Sequence, residues 1–334
     1  NIRELIMLSD VNKADQAPSG GMLRHLNLHR VSLPVVALVG VVGIFAPEVL
    51  SGAADALTES VFGSLDWFFM ASVTALLVLA GWLAFGPHGS IRLGAEGERP
   101  EFSTASWLAM LFAAGMGVGL LFWGVAEPMI HFSSPPVGEG GTAKAARQAM
   151  LITNFHWGFH AWAIYGLAAM VLAYFRFRRG TPYLAGAPVR AMFKGRWVEP
   201  VALLSDLVAV AAVVFGVAGS LGMGVFQLVA GLHVVAGIPA DSKVWAGGLL
   251  ALLVVCYMLS ASTGIERGIK WLSNINMIIA ILLLLFLLIA GPTGFLLRTV
   301  VTSLGDYLVG IMSLSLKLYP YQDLSSWMKS WTLT

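Results

Sequence analysis

Apolar runs long enough to cross a bilayer recur through the chain, near residues 32–50, 61–86, 105–128, 150–175, 201–232, 244–262 and 271–291. About 20 apolar residues match the hydrocarbon thickness of a membrane as a helix. A backbone in lipid must satisfy its own polar groups, so each run is expected to be α-helical. Charged residues make up 11% of the 334 and hydrophobic ones 57%, against about 25% charged in a soluble domain. These features define an all-α, polytopic helical membrane protein of seven spans, followed by an amphipathic stretch at 296–318. Residues 1–30 are polar and basic, and no cleavable signal pattern is expected there. The single Cys256 lies inside an apolar run, so neither a disulfide framework nor a cysteine metal site is expected.

Lys and Arg set the orientation. With a cytoplasmic amino terminus, the inner segments hold Arg24, Arg30, Arg92, Arg99, Arg267, Lys270 and the cluster Arg176, Arg178, Arg179, Arg190, Lys194 and Arg196. The outer ones hold Lys144, Arg147, Lys243, Arg298 and Lys317, with Lys329 near the end. The excess of basic residues inside favours this topology. It also accounts for the net charge of +2 without nucleic acid, since no basic stripe interleaved with aromatics appears.

The third span reads LFAAGMGVGLLFWGVAEPMIHF over 111–132, with Gly115, Gly117 and Gly119 in its middle. Each Gly costs a helix interior about 1 kcal/mol relative to Ala. Two readings stand. A discontinuous helix would turn freed carbonyls and amides toward an ion or polar substrate; a close-packed helix would use the glycines for backbone contact. Glu127, just before Pro128, is expected to cap or anchor the chain near the outer end.

The fourth span contains FHWGFHAWAIY at 155–165. At about 100° per residue, a continuous helix gathers Phe155, Trp157, Phe159, Trp162 and Tyr165 on one broad aromatic face, with His156 and His160 off it. Trp162 and Tyr165 lie deeper than headgroup anchoring explains. Converging π-faces bind a quaternary ammonium at up to about 2 kcal/mol each when desolvated; a bulky packing face is the other reading. The His pair has the i, i+4 spacing of metal ligands, but with no third ligand in view interhelical hydrogen bonding is expected and no metal site is assigned.

Gly115-Met116-Gly117-Val118-Gly119 with Phe122-Trp123-Gly124-Val125-Ala126-Glu127-Pro128, the Trp157, Trp162, Tyr165 set, Phe215-Gly216 with Ser220-Leu221-Gly222-Met223-Gly224, and Gly268-Ile269-Lys270 with Leu272-Ser273-Asn274 together resemble the betaine/choline/carnitine transporters. The resemblance runs from about residue 30 to the last. It implies secondary transport of trimethylammonium osmolytes on an inverted-repeat (LeuT-like) fold of two five-helix repeats preceded by two extra helices. On that mapping 1–30 is a cytoplasmic segment and 31–102 holds two accessory helices. Residues 103–295 form the first repeat, and 296–334 comprise the amphipathic helix and the start of an eighth span. The resemblance also implies that the second repeat is absent, and with it the capacity to transport alone.

The resemblance further assigns Trp157, Trp162 and Tyr165 to a trimethylammonium cage, and Gly115, Gly117 and Gly119 to an unwound segment beside which substrate passes. Ala113 and Met116 match positions whose carbonyls coordinate sodium in sodium-coupled members. Ser220 is the one nearby hydroxyl for a second sodium site. Choline-preferring, proton-coupled members tend to carry Asp at the position of Gly119, and sodium-independent exchangers use a cationic side chain, which 201–242 lacks. Sodium symport of a zwitterion such as glycine betaine is therefore expected. A proton-coupled choline transporter or a carnitine-type exchanger is the alternative. The same resemblance implies a homotrimer in the cell membrane and a role in osmoprotection. A channel needs a continuous polar lining, which spans five to seven lack. A membrane enzyme needs intramembrane ligands or paired acids, so no catalytic residues and no cofactor are expected beyond sodium as coupling ion.

Overall fold

A computed structural model describes residues 20–94, 97–115, 117–263, 268–321 and 324–333. Among them the regular elements are all helical: α1 Gly20–Phe45, α2 Pro47–Phe85, α3 Thr104–Gly115, α4 Val118–Ser133, α5 Ala143–His156, α6 Phe159–Arg179, α7 Ala187–Met192, α8 Val198–Ala236, α9 Lys243–Ser262, α10 Lys270–Ala290, α11 Thr293–Leu314 and α12 Ser325–Met328. A 3-10 turn spans Pro87–Ser90 and a π-helical turn Lys329–Leu333. The long helices turn apolar side chains outward, as Ile278, Leu282 and Phe286 do on α10, which suits hydrocarbon surroundings.

The spans depart from the sequence expectation at three places. The first run was expected at 32–50, but α1 stops at Phe45 because Pro47 takes the first position of α2, where its missing N–H is no loss. The second run was expected from 61; α2 begins at Pro47 and kinks at Leu65, where φ is −121° and ψ 15°. There the Asp66 carboxylate accepts the Trp67 amide at 2.7 Å, a side chain competing with the helix ladder. The third run divides into α3 and α4, inclined to each other by 60°, which is the discontinuous helix its glycines led one to expect. The stretch expected as amphipathic at 296–318 is α11, long and apolar enough to cross a membrane.

The fourth run divides as well, into α5 and α6. Its continuous aromatic face is therefore corrected: the helical wheel fails across Trp157 and Gly158. The Phe159 amide donates to the Tyr307 hydroxyl of α11 at 2.7 Å instead of to a ladder carbonyl. A Cβ on Gly158 would collide with that hydroxyl and with the Asn154 carbonyl. A side chain inserted into the ladder is a recognised cause of a kink, and only a glycine leaves room for it.

The chain forms two compact units. One comprises residues up to Glu96, 161–215 and from 328 onward; the other comprises 97–160 and 216–327. In the first, Asp206 is buried, accepting the Gly186 amide at 2.6 Å and pairing with Arg190 at 2.8 Å. Glu199 reaches the same guanidinium at 3.1 Å. Burial would lower the Arg190 pKa, but the hydrogen bonds and charges of the two carboxylates more than offset it and raise the value above normal. Lys329 of the π turn pairs with Glu59 on α2.

In the second unit α4 packs on α5, α10 on α3, and α11 on α5. Ser103 receives the Ser106 amide at the start of α3, and Asn274 of α10 donates to the Ser106 hydroxyl at 3.3 Å. Thr142 caps α5 through the Ala145 amide. Arg147 of α5 forks onto Asp306 of α11 at 2.6 and 2.5 Å. These ties fix the ends of the helices that carry the candidate site.

Candidate substrate and ion site

A helix ending at Gly115 leaves its last four carbonyls without intrahelical donors, Ala113 among them. The helix restarting at Val118 presents unpaired amides of its own, and Gly119 contributes one of them. Both sets of backbone dipoles meet at the break. Space around it is left open: a Cβ on Gly117 would have nothing within 4 Å, and one on Gly119 would reach only the Met223 methyl at 3.7 Å. Close backbone packing is therefore not what Gly117 serves. Met116 lies outside the described residues. Ser220 is exposed on α8, and no described contact joins its hydroxyl to the break.

The three aromatic residues assigned to a cage are placed differently from one another. Trp162 and Tyr165 stay together on α6, ring centroids 6.1 Å apart, with 42% and 69% exposure. Both rings thus keep a large part of their surface exposed. Trp157 ends α5, and its indole N–H donates to Glu127 Oε2 at 2.7 Å.

Glu127 is the centre of a cluster that the sequence reading did not assemble. It was expected to cap or anchor the chain near the outer end; it is buried on α4 at 3% exposure, and it anchors α4 to α5. A carboxylate can only accept, so His156 Nδ1 carries the proton it shares with Glu127 Oε1 at 2.6 Å. His131, fully buried one turn along α4, brings Nε2 to 3.4 Å of the same oxygen. The Trp327 ring lies against both imidazoles, its centroid 5.7 Å from His131 and 6.2 Å from His156. The signal that could have found it was Glu127 and His131 at i, i+4 inside a span, where ionisable residues mark sites by default. His160 goes elsewhere, to the Ser315 hydroxyl at 3.0 Å. Both members of the His pair thus bond to other elements, as expected.

Residues 27–334 match the family described as betaine/carnitine/choline family transporter. A glycine betaine transporter of Bacillus subtilis is 38% identical over 93% of this chain and 61% of its own length. An osmo-dependent choline transporter of Acinetobacter baylyi is 36% identical over 91% of this chain and 44% of its own length. An ectoine/hydroxyectoine transporter of Virgibacillus pantothenticus is 38% identical over 91% and 60% respectively. The chain spans about half to three-fifths of the length of the relatives it matches. With a matched segment that takes in every described helix from α2 onward, the chain is a multi-pass membrane protein that belongs to the betaine/carnitine/choline transporter family, a family of transporters and not of enzymes.

Proposed function

We propose that the chain forms part of a secondary transporter that takes up glycine betaine or a similar zwitterionic quaternary-ammonium osmolyte by sodium symport with alternating access. The carrying observation is the break between α3 and α4, where open carbonyls and amides adjoin glycines with empty space at Gly117. Oxygen-only coordination suits sodium, and amides suit a substrate carboxylate. Trp162 and Tyr165 supply π-faces for the cation. Residues 103–295 act as the first repeat of the core, behind accessory helices in 31–102. The protein works in the cell membrane, amino terminus cytoplasmic, as a homo-oligomer. Relatives named for glycine betaine, choline and ectoine support the substrate class.

The coupling ion is tested by initial-rate uptake of labelled betaine and choline in proteoliposomes of the complete transporter. Betaine uptake is expected to require an inward sodium gradient, and Gly119→Asp to shift preference toward choline by offsetting its net charge. Undiminished betaine uptake with potassium in place of sodium, driven by a pH gradient, overturns sodium coupling in favour of protons and leaves the substrate class standing.

The cage is tested separately. Trp162→Ala is expected to weaken betaine binding by about 1–2 kcal/mol, roughly 5- to 30-fold in Kd, while Trp162→Phe retains a π-face and most of the affinity. Equal affinities for wild type and both variants remove Trp162 from the site.

A further inference from the structure

We infer that Glu127, His131 and His156 form a binding site for a divalent first-row cation of the Zn²⁺ type, made of residues other than those proposed above for sodium and substrate. One ligand atom from each residue lies within 4.8 Å of the other two. The set comes from two packed helices, Glu127 and His131 from α4 and His156 from the last position of α5. Two imidazoles and a carboxylate are the donor set of open zinc sites, which keep a fourth position for water or a ligand.

Two of the three ligand edges lie within 1 Å of those of such an ion. Ligands about 2.1 Å from a tetrahedral metal stand roughly 3.4 Å apart. His131 Nε2 and Glu127 Oε1 are 3.4 Å apart. His156 Nδ1 and the same oxygen are 2.6 Å apart, so this edge opens by about 0.8 Å as the metal takes Nδ1 and the imidazole carries its proton on Nε2 instead. The surroundings are those of a built site. The Trp157 indole N–H holds the other carboxylate oxygen at 2.7 Å, fixing the orientation of the ligand as a supporting hydrogen bond does in zinc proteins. His131 is fully buried and Glu127 nearly so, which gives the ion a dry seat. Burying a carboxylate is costly unless it is paired, and a bound cation would supply the opposite charge.

The test uses the full chain purified with a tag free of histidine, stripped with EDTA and then titrated with Zn²⁺ and with Co²⁺. Expected are one equivalent of Zn²⁺ by elemental analysis and the intense visible absorption of four-coordinate Co²⁺. Trp157→Phe, which keeps all three ligands, is expected to lower affinity by about 10- to 100-fold, and His131→Gln to lower it further. Fewer than about 0.1 equivalents of Zn²⁺ on the wild type, only weak octahedral Co²⁺ absorption, or an unchanged Kd in folded His131→Gln overturns the site. The wild-type stoichiometry and spectrum decide the matter even if His131→Gln does not fold. Transport is not measured, so loss of the sodium or betaine reading leaves this result untouched.

Discussion

The paired substitution Gly117→Ala, Gly119→Ala is expected to abolish most betaine uptake by the complete transporter while leaving its abundance in the membrane near normal. The two changes differ from ordinary core damage because neither new methyl meets an obstacle: Gly117 has nothing within 4 Å, and Gly119 would make an ordinary contact with Met223. What changes is the backbone. Gly119 is already helical in α4, so the bias comes from Gly117, where Ala favours continuous helix over Gly by about 1 kcal/mol, roughly 5-fold in population. The measurement is initial-rate uptake normalised to membrane abundance. A double variant that transports at the wild-type rate shows that the break is not where substrate and ion are held.

Glu127→Ala is expected to cause the largest loss of stability in the described helices. The buried carboxylate accepts from His156 and from Trp157 and faces His131. Its removal leaves buried donors without an acceptor, and breaking such a set costs about 3–5 kcal/mol. In detergent with EDTA present, so that metal plays no part, the variant should melt on the order of 10 °C below wild type. Glu127→Gln keeps one carbonyl oxygen of similar shape and should fall between. A Tm for Glu127→Ala within about 2 °C of wild type means that α4 and α5 do not depend on this carboxylate.

Helical spans were legible because lipid leaves apolar length as a nearly sufficient signal, and the α3–α4 break was legible because its cause, glycine, is local. Where the cause is remote the sequence was mute. The division of α5 from α6 comes from Tyr307, a partner 148 positions away from Phe159, and no wheel drawn on 155–165 can include it. The break at Ala46 was readable in principle, since Pro47 marks a first helical position; apolarity on both sides of it concealed the boundary. The Glu127 cluster lies between these cases. Its i, i+4 half on α4 is written locally, whereas His156 and Trp327 arrive through packing. His156 and His160, despite their i, i+4 spacing, were expected to bond to other helices, and one ring goes to Glu127 and the other to Ser315.

The hydroxyl of Tyr307 also fixes an order of events during biogenesis. Residues 143–179 leave the ribosome before residue 307, so the Tyr307 hydroxyl cannot serve the Phe159 amide when that segment is first made. The bond becomes available only once α11 is present to pack on α5. This contact is thus a product of helix assembly and not of helix formation.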